Sequence, residues 1–384
     1  MGDKIKVAVI LGGRSGEHEV SLSSAQSVMG ALDQERFEII PVGITREGAW
    51  IVGAETTSGA AAIRAVVTAL KQEAFSETVP VAIFPDPTRQ GVWRMNPDTK
   101  VMSLLSAVDV VFPVLHGTFG EDGTLQGLLE MANLPCVGPG VLASAAAMDK
   151  ILFKDVCKAN GLPTPDYLGF NRSRWQREPE AVMAEIEAGL SYPLFVKPAN
   201  LGSSVGITKC HKADELQAAL ETAARYDRRI LVEVAVPAAR EIEVSVLGNE
   251  EPRASLPGEI LPSREFYDYA AKYLDDGEQA SKLLIPAPLD AELTKQVRAM
   301  AVKAFKAIDG AGMSRVDFLL SAETGALYLN EINTIPGFTS ISMYPKLWAA
   351  TGVPYSQLLG ELIDLAIERH KDNAQSERVY RPTL

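Results

Sequence analysis

The sequence predicts an α/β protein of more than one domain, on three observations. The chain has 384 residues, more than a single hydrophobic core usually organises. Hydrophobic residues make up 47% and charged residues 22%, the ordinary range of a soluble globular protein. Strand-like apolar runs alternate with helical stretches from the N-terminus onward, and strands of near-continuous apolar character imply a parallel sheet covered on both faces.

Taken in order, the first elements are a strand at 5–11, a helix at 21–32 and a strand at 37–44. A polar, irregular stretch runs to about 105, and its Ala/Thr/Ser/Gly-rich part at 54–62 reads as a mobile loop. A strand at 109–115 and a helix at 124–132 follow, and then one helix from Val141 to Asn160, closed by Gly161 and Pro163. The texture then changes. Strands are expected at 192–198, 205–210 and 230–236, with a helix at 213–224. Strand-like segments resume at 241, and a polar stretch occupies 262–283. A helix at 290–308 precedes alternating strands at 313–320 and 326–333, and a last helix covers 355–370. No internal repeat is visible.

Composition excludes several function classes. The net charge of −12 repels a phosphate backbone, so nucleic acid is not an expected partner. Cys136, Cys157 and Cys210 form no CxxC pair, which fits a reduced cytosol and neither a disulfide framework nor a zinc site. The four histidines lack metal-ligand spacing, and the apolar run at 7–11 is too short for a signal peptide or a membrane span. The expected location is the cytoplasm, away from membranes.

Seven stretches carry chemistry. Residues 197–207, KPANLGSSVGI, place a lysine at a strand end and a small-residue loop after it. Its glycines let the backbone aim several N–H groups at phosphate oxygens, although the loop joins two strands and is no Walker motif. A plain hairpin with solubilising serines is the competing reading. In SRVDFLL, Arg315 and Asp317 share one strand face, and in LNEINT, Glu331 and Asn333 share another. Two neighbouring strands can bring the four to one spot, where carboxylate and amide oxygens suit Mg²⁺. A solvated polar face is the alternative. The segment TIPGFTSISMYP after these strands looks built to receive something polar. EFYDYAAKYL, 265–274, puts aromatic residues and a lysine in a long loop, either a water-excluding lid or a surface loop folded onto itself. Finally, LHGTFGEDGTLQG (115–127) and GGRSGEHEVS (12–21) each follow a strand end, where open α/β sheets bind ligands. Glu17 and Glu19 would repel phosphate, so the second loop suits a cationic group better than a nucleotide. Glu17 as a helix-start carboxylate is its bland alternative.

Together, GGRSGEHEVSL, HGTFGEDGTLQG, MDK, FVKPANLGSSVG, FYDYAAKY, RVDF and NEINTIPGFTSISMYP closely resemble the D-alanine–D-alanine ligases of the ATP-grasp superfamily. The match runs in order from near residue 9 to about 346. The resemblance implies a three-domain ATP-grasp α/β fold: an N-terminal parallel α/β domain (1–139) with the substrate loop, a central α+β subdomain (140–234) with the glycine-rich loop, and a C-terminal α+β subdomain (235–384) with the lid and Mg²⁺ site, the last two clamping ATP. It implies that Lys150 and Lys197 bind ATP phosphates, Ser203 and Ser204 cradle them, Glu233 lies on the adenine side and Glu241 binds ribose. Asp317, Glu331 and Asn333 would ligate two Mg²⁺ ions, with Mn²⁺ able to substitute, and a monovalent cation is allowed. Glu17 would hold the ammonium of the first D-alanine near His116, within a hydrogen-bonded group containing Ser203 and Tyr273. Arg315 and the Gly337 backbone would stabilise an oxyanion. Lys272 and Ser342, with Met343 beside them, would take the carboxylate of the second D-alanine.

Two departures stand out. Ala270 replaces an acidic residue that many members carry before the Ala-Lys-Tyr of the lid, which bears on lid closure, and Phe119 replaces a more usual leucine. Lys272-Tyr273 favours the amide-forming type over depsipeptide ligases that accept D-lactate. The expected activity is ATP-dependent ligation of two D-alanines through a D-alanyl phosphate, for peptidoglycan precursors, in a homodimer. Another ATP-grasp acid–amine or D-Ala–D-lactate ligase is the enzymatic alternative. A nucleotide-binding regulator without catalysis is the other, against which the intact Arg315, Asp317, Glu331, Asn333 set argues.

Overall fold

The computed structural model describes residues 3–96, 98–262 and 281–377. Ala270, Lys272 and Tyr273, with the rest of the expected lid, lie outside the described residues. Three sheets follow one another along the chain. The first has the order β6-β5-β4-β3-β2-β1-β7, built from β1 (Ile5–Gly12), β2 (Phe37–Ile44), β3 (Trp50–Gly53), β4 (Thr78–Ala82), β5 (Val92–Met95), β6 (Met102–Ser106) and β7 (Val110–Pro113). The three strands expected from the apolar runs, β2-β1-β7, are parallel, with Val7 opposite both Ile39 and Val110. From Val7 onward both faces of β1 are buried, which explains the unbroken apolar run at 7–11.

The stretch expected to be irregular instead extends this sheet with four antiparallel strands. It also contains a helix, Gly59–Gln72, which overlaps the expected 54–62 loop. Ala62, Val66, Ala69 and Leu70 bury one side of that helix at helical spacing. Composition hid it, because alanines and small polar residues serve a helix as readily as a loop.

The second sheet, β10-β9-β11-β8, is antiparallel and comprises β8 (Tyr167–Asn171), β9 (Leu194–Pro198), β10 (Thr208–Cys210) and β11 (Arg229–Val234). The third has the order β15-β14-β12-β16-β17, with β13 added to β12. Its strands are β12 (Ala239–Gly248), β13 (Arg253–Ala254), β14 (Gly258–Leu261), β15 (Lys282–Leu284), β16 (Gly312–Ser321) and β17 (Leu327–Asn333). Helix Ala291–Ala307 packs Val297, Ala301 and Phe305 against it. The last helix, Tyr355–Asn373, returns to the first sheet, where Leu358, Leu362 and Ile363 join Val7, Val9 and Phe112 in one core. No helix among the described residues is long and apolar enough to cross a membrane.

Two local breaks set up the site. The single helix expected at 141–160 is two, Val141–Met148 and Lys150–Ala159, interrupted at Asp149 with φ −84° and ψ 102°. The Asp149 carboxylate caps the second helix by accepting from the N–H groups of Ile151 and Leu152. It also accepts from Asn200 Nδ2 and pairs with Arg229, tying the helix start to the loop after β9. Lys150 thereby becomes a first-turn residue facing that loop. The second break is a β-bulge. Asp317 pairs with Glu331 but Phe318 pairs with Leu329, so Asn330 is extra. Leu327 and Leu329 are buried before the bulge and Ile332 after it, so the bulge turns Glu331 and Asn333 to the side opposite the core.

Candidate active site

Two cavities meet at the crossing of the three sheets. The smaller, of about 130 Å³, is lined by Glu17, His116, Ser203, Arg315, Gly337 and Ser342, among others. The larger, of about 340 Å³, lies between the second and third sheets and includes Lys197, Ser204, Glu233, Glu241 and Asp317. Lys150, Ser203, Arg315 and Glu331 line both. The predicted residues among those described are thus brought together in two groups, with Asn333 and Met343 on the smaller side.

Glu17 reaches the smaller cavity because of backbone constraints on its loop. Gly12 and Gly13 have φ of +92° and +100°, and a Cβ at Gly12 would stand 2.3 Å from the Ile44 carbonyl oxygen. The Gly12 N–H donates to Ser21 Oγ at 2.8 Å, folding the loop onto helix His18–Ala31. Glu17 precedes that helix but does not cap it. Its carboxylate instead accepts the Ser203 hydroxyl. The carboxylate also packs on two glycines: a Cβ at Gly117 would come within 2.6 Å of Glu17 Oε2 and one at Gly202 within 3.0 Å. The carboxylate thus faces the cavity and the serine loop rather than the N–H groups of its own helix.

His116 is 4% exposed, with Nε2 3.1 Å from Ser24 Oγ and Nδ1 3.5 Å from Glu121. Burial opposes a charge on this imidazole, but Glu121, and behind it Glu17, outweigh that and raise its pKa. At the other wall, a Cβ on Gly337 would meet Ser342 Oγ at 2.7 Å, so the glycine leaves room for that hydroxyl. Ser342 Oγ in turn accepts the Thr339 N–H at 3.0 Å.

Arg315 lies at the junction. It forms a two-pronged pair with Asp317 at 2.7 and 2.6 Å and reaches Glu243 at 3.0 Å. Burial works against its charge, yet the Asp317 and Glu243 carboxylates drive its pKa further up, so it stays cationic. Lys150 Nζ donates to the Leu201 carbonyl at 2.9 Å and lies 3.2 Å from Glu331. In the loop beside it, Ser203 and Ser204 hold left-handed φ of +51° and +57°. Such a conformation costs about 1–3 kcal/mol at a non-glycine residue and occurs where backbone amides converge on a ligand.

Among the described residues, no three His, Cys, Asp or Glu side chains gather into a metal cage. Asp317 and Glu331 face each other across β16 and β17, and Asn333 lies opposite Arg315. Two carboxylates and an amide form a hard-oxygen set that leaves most positions of a divalent cation to phosphate and water, the usual way Mg²⁺ is held. The set fits Mg²⁺ bound with a nucleotide.

The residues also match known proteins. Residues 6–139 match the D-Ala-D-Ala ligase N-terminus family and residues 156–364 the D-Ala-D-Ala ligase C-terminus family. The chain belongs to the D-alanine–D-alanine ligase family. It is 51% identical to the D-alanine–D-alanine ligase of Heliobacterium modesticaldum, over 99% of this chain and 100% of the relative. It is 48% identical to that of Natranaerobius thermophilus, over 96% of each. Among solved structures, a D-Ala:D-Ser ligase from Enterococcus faecalis superposes with a TM-score of 0.82 at 38% identity, covering 95% of this chain and 100% of that one. The D-alanine–D-alanine ligase of Coxiella burnetii gives 0.82 at 37%, covering 97% of each. Ligases of this family use ATP and Mg²⁺, in agreement with the donor set found here.

The sequence reading missed three charged residues. Glu243 faces Asp317 across β12 and β16, and the alternation in EIEVSV was enough to place it with Glu241. Glu121 lies inside LHGTFGEDGTLQG, the motif that also carries His116. Lys154, 1% exposed, carried no signal beyond its four-residue offset from Lys150. It lies 2.7 Å from Glu233 Oε2, while Lys197 takes Oε1. Burial would raise the Glu233 pKa, but Lys154 and Lys197 overcome it and hold the carboxyl at about 2 against an ordinary 4.5. The folded state therefore binds fewer protons than the unfolded chain between these values, and stability rises with pH there. The contribution is complete above pH 4.5 and lost as pH falls through 2. Acid unfolding followed by circular dichroism should show a shallower dependence between these pH values in Glu233→Gln than in the wild type.

Proposed function

We propose that this protein joins two D-alanines into D-alanyl-D-alanine with cleavage of ATP to ADP and phosphate, supplying peptidoglycan precursors. The observation that carries the reading is the meeting of the two cavities. A carboxylate anchored beside Ser203 occupies the smaller one, lysines and a strained serine loop line the larger, and Arg315, Lys150 and Glu331 stand where they join.

In this reading Glu17, supported by His116, binds the ammonium of the first D-alanine and turns its carboxylate toward the junction. The larger cavity takes ATP: Lys150, Lys197, Ser203 and Ser204 hold the phosphates, Glu241 the ribose, and Glu233 lies on the adenine side. Asp317, Glu331 and Asn333 would hold Mg²⁺, which would supply neutralisation of phosphate charge. The γ-phosphoryl group passes to the first carboxylate, giving an acyl phosphate. The second D-alanine, its carboxylate taken by Ser342 and Lys272 beside Met343, attacks the acyl carbon with its amine, and phosphate leaves. Arg315 and the Gly337 N–H meet the negative oxygen of the tetrahedral intermediate. Tyr273 completes the Glu17–Ser203 group.

The same reading takes in 1–139, 140–234 and 235–384 as three domains, supported by the confinement of each sheet to one of these ranges. It also takes in a cytoplasmic homodimer, two Mg²⁺ ions replaceable by Mn²⁺, and a monovalent cation as further ligand.

A second reading, a different second substrate, is kept because a D-Ala:D-Ser ligase superposes as well as a D-alanine–D-alanine ligase. The test incubates the purified protein with ATP, Mg²⁺ and D-alanine, with D-serine, D-lactate and L-alanine added in parallel, and follows phosphate release and product mass. D-Alanyl-D-alanine with matching phosphate is expected. A mixed product formed in preference would move the assignment to that acceptor, and absence of turnover with all of them would favour a regulatory nucleotide-binding protein.

A further inference from the structure

Lys154 is buried to 1% exposure on the inner side of helix Lys150–Ala159, and it is not among the residues lining either cavity. Its ammonium lies 2.7 Å from Glu233 Oε2 on β11, and 5.9 Å from the centroid of the Tyr167 ring on β8. The other oxygen of Glu233 is taken by Lys197 on β9, which does line the larger cavity. Burying an ammonium this deeply is costly unless it is paired, and an apolar side chain would pack the helix against the sheet without that cost. Lys197 and Glu233 alone would already form a closed neutral pair. With Lys154 present, two ammoniums share one carboxylate, and these three side chains together carry one positive charge.

We propose that Lys154 is a positioning residue for nucleotide binding: by sharing Glu233 it leaves Lys197 free to present a net positive charge to the phosphates. The inference rests on the larger cavity being the ATP site. It assigns Lys154 no contact with nucleotide. Its effect is therefore confined to ligands that carry phosphate, and removal of the Glu233 charge offsets the loss of Lys154.

The experiment measures ATP and adenosine dissociation constants by calorimetry or competition, for the wild type, Lys154→Met, Glu233→Gln and the double variant. In Lys154→Met the preference for ATP over adenosine is expected to fall on the order of tenfold, the scale of one charge acting through a partly hydrated interior. In the double variant, which restores the surplus charge on Lys197 by removing the carboxylate, the preference is expected to recover. A structural role alone would weaken both ligands together and give no recovery. An unchanged preference in Lys154→Met, or no recovery in the double variant, overturns the proposal. If Lys154→Met does not fold, Glu233→Gln against the double variant carries the test, since the same single charge separates them and the same fall is expected. A wild type that binds neither ligand overturns the ATP reading, and this proposal with it. A wild type that binds ATP while Lys154→Met keeps its preference overturns Lys154 alone.

Discussion

Glu331→Gln is expected to lower kcat by about 10³-fold or more while the protein stays folded, because ligands of a catalytic metal are worth several kcal/mol of transition-state stabilisation. The substitution keeps the volume of the side chain and removes its charge. The Glu331 side chain is 30% exposed and lies outside the core, so nothing in the hydrophobic packing depends on it. What does depend on it is local. Glu331 faces Asp317 across the strand pair, touches Lys150 at 3.2 Å and lines both cavities. A glutamine there keeps one oxygen for a cation but withdraws half of the carboxylate charge from the metal set. The check is single-turnover phosphate release together with a thermal melt. Turnover near the wild-type rate with an unchanged melt would remove Glu331 from the metal role. Weakened turnover recovered by raising Mg²⁺ would place its effect in metal affinity.

How far such a residue could be found from sequence depends on what the local pattern controls. Period-two alternation placed Arg315 with Asp317 and Glu331 with Asn333, and the structure keeps each pair on one face. Alternation counted from Leu327, however, would have turned Glu331 toward the core. The bulge at Asn330 reverses the phase, and bulges are set by how two strands pair, which one strand's sequence does not encode. The split of the 141–160 helix was more legible. Asp149 is a standard capping residue, but a continuous helical pattern on both sides concealed the break, and with it the reason Lys150 faces the loop after β9. The antiparallel strands between 50 and 106 are four or five residues long, too short for periodicity to register. The Lys154–Glu233–Lys197 group was out of reach for a different reason. Its members come from a helix and two strands far apart in sequence, and a lysine on a helix reads as surface until the packing is known.

The same dependence on packing makes Gly117→Ala the most informative change on the amino-acid side. Gly117 has φ of +73°, so an alanine there costs about 1–2 kcal/mol of backbone strain, which a protein of this size tolerates. The larger effect is positional. The new Cβ would come within 2.6 Å of Glu17 Oε2, a contact that the end of a flexible side chain relieves by moving. On its other side the carboxylate is near the Gly202 backbone, where an added Cβ would stand 3.0 Å from the same oxygen. The carboxylate must therefore swing away from Ser203 and lose that hydrogen bond. A misplacement of about 1 Å at a group that orients a reacting substrate costs on the order of 10²-fold. In Gly117→Ala, kcat/KM for D-alanine should fall by about that factor, while ATP affinity is unchanged because the atoms nearest the new Cβ belong to Glu17 and Ser15, neither of which is assigned to ATP. Steady-state kinetics in D-alanine, with ATP binding measured separately, checks both halves. An equal loss in ATP affinity would mean that the serine loop moved along with Glu17. No loss in either would mean that Glu17 does not hold the substrate, and the assignment of the smaller cavity to the first D-alanine would fall.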